Sequence, residues 1–192
     1  AAPLLDPSDL FVSPVSLSTS HLEQMRDLVG RGQTRSHPWR VEQLRRLREL
    51  VESHEQEVLE ALAADLGKPS TEAFFEVVAL LQELKLTEKN LRRWMRPRSV
   101  PVPLSQLPGK ASVMPEPLGC VLIIGPWNLP FSLTLQPLIS ALAAGNTAVL
   151  KPSEQAPAVS ALIAQAFGDQ FDPDVVSVVE GDGKVAADLV AM

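Results

Sequence analysis

Cys120-Val121-Leu122-Ile123-Ile124-Gly125-Pro126-Trp127-Asn128 joins an unbroken β-prone run to a turn. Such a run predicts a strand buried on both faces of a parallel sheet. Gly125 to Pro130 predicts a tight turn, and Leu133 to Ala144 a helix in which Pro137 must sit near the first turn. Gly145-Asn146 can end that helix in the left-handed conformation. Thr147-Ala148-Val149-Leu150 reads as a second strand, and residues 154–167 as a second helix with Ser153 at its cap. Val175 to Val179 reads as a third strand, and a third helix starts at Gly183. Right-handed crossovers set these strands side by side. The outcome is α/β: half of a doubly wound, Rossmann-like parallel sheet.

Upstream, the pattern is helical. Ser20 and Glu23 have capping-box spacing, which predicts a short helix ending near Gly30. A long helix should begin at Pro38. Its stripe is Val41, Leu44, Leu47, Val51, Val58, Leu62 and Leu66, and Gly67 stops it. Ser70 can cap another helix, with a stripe of Phe74, Val78, Leu81, Leu84, Leu91 and Trp94 before Pro97. These helices form a layer whose one apolar side must pack on something else. From Pro97 to Pro117 the chain carries six prolines, and a hairpin turning at Pro108-Gly109 fits, its strands confined to edges. The expected organisation is an extended or disordered arm over 1–19, a helical layer over 20–97, a hairpin over 98–117 and the β-α-β-α-β-α segment over 118–192.

Composition narrows the function. The 192 residues are 45% hydrophobic and 21% charged, ordinary for a globular protein. A net charge of −6 leaves no electrostatic footprint for nucleic acid, and the basic clusters Arg40–Arg48 and Arg92–Arg98 fall on helix faces. A single cysteine excludes an intrachain disulfide and a cysteine-based zinc site, so no metal is expected. It fits a reducing, cytoplasmic setting. The first twenty residues lack Lys, Arg and any long apolar run, unlike a secretory signal. Gly and Pro break the apolar stretches, which argues against a membrane span. The start at Ala1 and the uncapped helical pattern at Met192 suggest a piece of a longer protein.

In parallel sheets, ligands bind beyond the carboxyl ends of the strands. Asn128 follows the first strand; Lys151 and Glu154 follow the second. Asn128 could donate its amide to a developing oxyanion. Lys151 and Glu154 could hydrogen-bond the ribose hydroxyls of an adenosine. Each has a plainer explanation: Asn tolerates unusual turn angles, and Glu154 complements a helix dipole. No G-x-G-x-x-G follows the first strand.

Two longer blocks resolve the choice. Pro117-Leu118-Gly119-Cys120 through Pro126-Trp127-Asn128-Leu129-Pro130-Phe131, and Ala143-Ala144-Gly145-Asn146 through Lys151-Pro152-Ser153-Glu154, resemble the aldehyde dehydrogenase superfamily in order and spacing. Leu62-Ala63-Ala64-Asp65-Leu66-Gly67-Lys68 and Asn90-Leu91-Arg92-Arg93-Trp94-Met95 resemble its class 3, fatty-aldehyde branch. The resemblance covers about residues 20–192.

The resemblance implies oxidation of an aldehyde to an acid with NAD or NADP. In that family a Cys thiolate attacks the carbonyl, hydride passes to the nicotinamide, and a Glu activates water. It implies an oxyanion role for Asn128, ribose contacts for Lys151 and Glu154, and a cofactor cleft lined by backbone at Ile124, Gly125, Pro126 and Trp127. The hairpin resembles part of the family's oligomerisation domain, which implies a homodimer. An apolar or aliphatic aldehyde is implied, although Leu129 stands where class 3 members commonly carry Tyr. The family's Phe-Thr-Gly-Ser, Glu-Leu-Gly-Gly, Gly-Gln-x-Cys and Glu-x-Phe-Gly-Pro motifs do not occur in residues 1–192, so this chain alone is expected to be inactive. Cys120, inside a strand, reads as a small hydrophobe. The competing expectations are a noncatalytic nucleotide-binding or oligomerisation module, and an acylating, CoA-dependent relative.

Overall fold

The computed structural model describes residues 17–192. The expected arm over 1–19 lies almost wholly outside the described residues. Four α-helices come first: α1 (Thr19–Gly30), α2 (His37–Ser53), α3 (Glu55–Leu66) and α4 (Ser70–Trp94). A two-stranded antiparallel hairpin follows, β1 (Arg98–Val100) paired with β2 (Ala111–Val113). Its prolines lie outside the paired residues, where no ladder donor is lost. The remainder alternates: β3 (Cys120–Ile124), α5 (Ser132–Ala144), β4 (Thr147–Lys151), α6 (Pro157–Gln170), β5 (Val176–Val178) and α7 (Gly183–Val190).

The three strands form a parallel sheet in the order β3-β4-β5, as the expected crossovers require. Alternation along β4 divides the core. Ala148 and Leu150 join the large cluster with α2 to α6, while Val149 joins Leu17, Leu22 and Met25 on the other face. β4 is wholly buried, but β3 is only half-buried, against the expectation of burial on both faces. It lies at the end of the described sheet, with a partner strand on one side only.

Helices α2, α3 and α4 pack their apolar side on α5 and α6, while α1, expected in the same layer, lies against β3 and β4 on the other face. The layer's details differ from the sequence pattern. Ser18, not Ser20, caps α1 by accepting the His21 N–H. The long helix breaks at His54, whose Nδ1 lies 2.9 Å from the Leu50 carbonyl and competes with the helical ladder. Pro69, not Ser70, occupies the cap position of α4. Its buried stripe is also shifted, to Ala73, Glu76, Val77, Leu80, Leu84, Thr87 and Leu91, leaving Phe74 and Trp94 exposed.

Two corrections concern the sheet's helices. Pro137 sits in the second turn of α5 rather than near the first. α6 starts at Pro157, and Ser153 makes a separate turn by accepting the Gln155 N–H. Neither helix has a side-chain cap from its own N-cap residue, Phe131 in α5 and Ala156 in α6. Gly145 ends α5 in the left-handed region at φ 86°. A Cβ there would lie 2.8 Å from the Arg40 guanidinium, which is buried beneath and donates to the Ala143 carbonyl at 3.0 Å. The cation meets the negative end of α5.

Candidate active site

The carboxyl ends of β3 and β4 are brought together by register, which sets Ile124 opposite Lys151. The Gly125 N–H continues the ladder, donating to the Lys151 carbonyl at 2.9 Å. Gly125 has no room for a side chain: a Cβ would lie 2.0 Å from Thr134 Oγ1 on α5. That close approach brings the turn down onto α5. Pro126 is half-buried, while Ile124, Trp127 and Leu129 expose apolar surface around the turn. Trp127 is 53% accessible.

Asn128 is exposed, and its side chain makes no hydrogen bond among the described residues. Its carbonyl, by contrast, accepts from Lys68 Nζ at 3.0 Å. The Lys68 side chain, 9% exposed, lies against the buried Glu76, with Nζ 2.5 Å from Glu76 Oε1. The second oxygen of Glu76 accepts the Ser132 N–H, the first amide of α5, at 2.9 Å. One carboxylate therefore neutralises the buried ammonium and caps the helix that follows the turn.

Lys151, 2% exposed, ends β4, and its ammonium donates to Glu154 Oε2 in the next turn. The Glu154 side chain is 42% exposed. The Lys151 hydrogen bond, chiefly, holds its carboxyl below the usual carboxylate range. The pair thus offers donors and acceptors at the sheet's edge. No hydrogen bond joins Asn128 to either residue among the described residues; the strand register brings the two turns side by side.

A third carboxylate completes the pattern. Asp65, in the last turn of α3, accepts the Ala158 N–H at 3.0 Å and the Val159 N–H at 2.9 Å, at the start of α6. The N-termini of α5 and α6, which hold phosphate in many nucleotide-binding sheets, are each filled by a carboxylate from the helical layer. The amides of Ser132, Ala158 and Val159 are thereby already taken. Sequence reasoning missed Asp65, Lys68 and Glu76. One signal was present: an acid in the last turn of a helix, against the dipole.

Cys120 lies at the opposite, amino end of β3. Burial pushes its thiol up, the reverse of what an activated nucleophile needs. No helix of the described residues is long and apolar enough to cross a membrane.

Residues 25–192 match the aldehyde dehydrogenase family. The chain belongs to that family. It is 46% identical over 151 residues to aldehyde dehydrogenase family 3 member H1 of Arabidopsis thaliana, a match covering 78% of this chain and 31% of the relative. It is 43% identical over 150 residues to the 4,4'-diaponeurosporen-aldehyde dehydrogenase of Staphylococcus aureus, covering 78% of this chain and 33% of that one. Among solved structures, the substrate-bound AldH of Staphylococcus aureus superposes with a TM-score of 0.87 at 37% identity, over 90% of this chain and 38% of that one. The chain spans about a third of the length of the curated relatives it matches. The expected Rossmann-like α/β fold agrees with that superposition.

Proposed function

We propose that this chain supplies the oxyanion turn and the adenosine-ribose site of an enzyme that oxidises an apolar or aliphatic aldehyde to its acid with NAD or NADP. The observation that carries the reading is the juxtaposition of an uncommitted Asn128 amide with the Lys151–Glu154 pair at one sheet edge. Asn128 donates to the carbonyl oxygen as it gains charge, where a preorganised donor is worth most. Trp127 and Leu129 flank it with apolar surface suited to an apolar chain. The named aldehyde of the Staphylococcus aureus relative supports an aldehyde substrate.

The donor set fits the ribose of a dinucleotide. Glu154 presents an acceptor to a vicinal diol, and Lys151 presents the remaining hydrogens of its ammonium. The nicotinamide, when bound, supplies the hydride acceptor. The carboxylates on α5 and α6 leave its diphosphate to residues outside this chain. The attacking thiolate and the general-base Glu also belong to motifs absent from residues 1–192. A homodimer is supported by the exposed Leu104, Leu107, Val113 and Met114 of the hairpin region.

The test is steady-state kinetics of the full-length protein. Asn128→Ala lowers kcat by about a hundredfold or more. An unchanged kcat returns Asn128 to turn geometry alone. Lys151→Ala raises chiefly the cofactor KM; a change confined to the aldehyde KM removes the ribose assignment.

A further inference from the structure

We propose that the corner between α3 and α4, Asp65 to Lys68, positions both halves of this site at once; the inference rests on the reading of Asn128 and Lys151–Glu154 just given. Asp65 and Lys68 lie three residues apart at one helix junction. Lys68 reaches the Asn128 turn, and Asp65 reaches the start of α6, just beyond the Lys151–Glu154 turn.

Each contact is built at local expense. A carboxylate in the last turn of α3 opposes that helix's own dipole, and the two amides of α6 offset the cost. A buried ammonium needs a buried counter-charge, and Glu76 supplies it from the apolar stripe of α4.

The Asn128 turn depends on this support. Residues 125–131 contain no helix or strand, and the Asn128 carbonyl has Lys68 as its hydrogen-bond partner among the described residues. A charge-assisted bond to that oxygen fixes the peptide plane from whose Cα the amide side chain projects. The neighbouring carbonyls of Leu129, Pro130 and Phe131 are taken by Leu133, Thr134 and Leu135 of α5. Lys68 and Asp65 touch no reacting atom; they are positioning residues, one for each turn.

The experiment is a set of variants in the full-length protein, assayed for kcat and cofactor KM. Lys68→Met alone would strand a buried carboxylate, so the variant is Lys68→Met with Glu76→Gln, which keeps an acceptor for the Ser132 N–H. Glu76→Gln alone is the reference, so that the loss read is the one that removing Lys68 adds. The paired variant lowers kcat roughly tenfold to a hundredfold, as expected for a misplaced group, with cofactor KM within about twofold. Introduced into Asn128→Ala, it produces no further loss, because Lys68 acts through Asn128. Lys68→Arg is the second variant: it keeps Glu76 paired, displaces the donor, and its kcat loss also vanishes in the Asn128→Ala background. Asp65→Ala raises cofactor KM several-fold with kcat little changed.

Losses from Lys68 and Asn128 that multiply independently overturn the Lys68 half, even with Asn128 confirmed as an oxyanion donor. An unmoved cofactor KM in Asp65→Ala overturns the Asp65 half. If Asn128→Ala itself leaves kcat intact, the oxyanion reading fails, and the Lys68 role falls with it.

Discussion

Glu76 and Ser132 stand 56 residues apart, yet the Glu76 carboxylate caps the helix that Ser132 begins. The same carboxylate pairs with Lys68. Removing it leaves a buried ammonium and an uncapped helix. Glu76→Ala is expected to destabilise the protein by roughly 3–5 kcal/mol, and Glu76→Gln by less, since its amide oxygen still accepts the Ser132 N–H. Urea denaturation checks this through the midpoint. Equal losses in the two variants would show that the cap on Ser132 contributes nothing and the charge alone carries the effect.

Gly125 and Thr134 form a contact that admits no methyl group. Gly125→Ala should cost about 1–3 kcal/mol by overpacking. Thr134→Ala removes the obstructing hydroxyl, so the double variant should recover much of the loss. A double-mutant cycle measures the coupling. Simple additivity would place the strain elsewhere.

The Lys151–Glu154 pair gives a signed pH dependence. The folded protein holds the Glu154 carboxyl below its unfolded value. Its contribution is therefore present in full above the unfolded value, about pH 4.3, and is lost as pH falls through the folded one. Wild type minus Glu154→Gln stability should be flat near neutrality and shrink only in acid. Glu154 is exposed, so the difference is small, on the order of 1 kcal/mol or less. A difference that grows on acidification would contradict the pairing.

Cys120 should behave as a packed side chain. Its raised thiol ionisation predicts alkylation by iodoacetamide at pH 8 more slowly than a free cysteine. Cys120→Ala should leave aldehyde turnover of the full-length protein within about twofold and cost roughly 1 kcal/mol of stability, since the residue is only half-buried. Abolished turnover would make the thiol part of the reaction.

The strand–helix alternation after Pro117 was legible because local signals agree there: β-prone runs, glycines such as Gly125 and Gly145 at the strand–helix junctions, and helical spacing between them. The phase of α4 was not. Phe74 and Trp94 are apolar and exposed, whereas Glu76 is charged and buried, so hydropathy orders them the wrong way round. Glu76 is tolerated inside because Lys68 and the Ser132 amide meet both its oxygens. The cap of α6 was misread for a related reason. Ser153 has the right residue type in the right place, but the amides of α6 go to Asp65, 93 and 94 residues earlier. Asn128, Lys151 and Glu154 were legible as candidates from type and spacing. Their supports, set by long-range packing, were not.

The borrowed caps also bear on how the chain assembles. Synthesis runs from the amino-terminal side, so Asp65 and Glu76 emerge well before the amides they serve. Until α5 and α6 appear, each waits as an acid without its backbone partners. Once made, α5 and α6 in turn lack a cap until they dock. The helical layer and the half-sheet therefore complete each other. Cutting the gene at the proline-rich hairpin, where composition marks an obvious boundary, would separate both carboxylates from their helices. Neither piece should become a stable folding unit without the other.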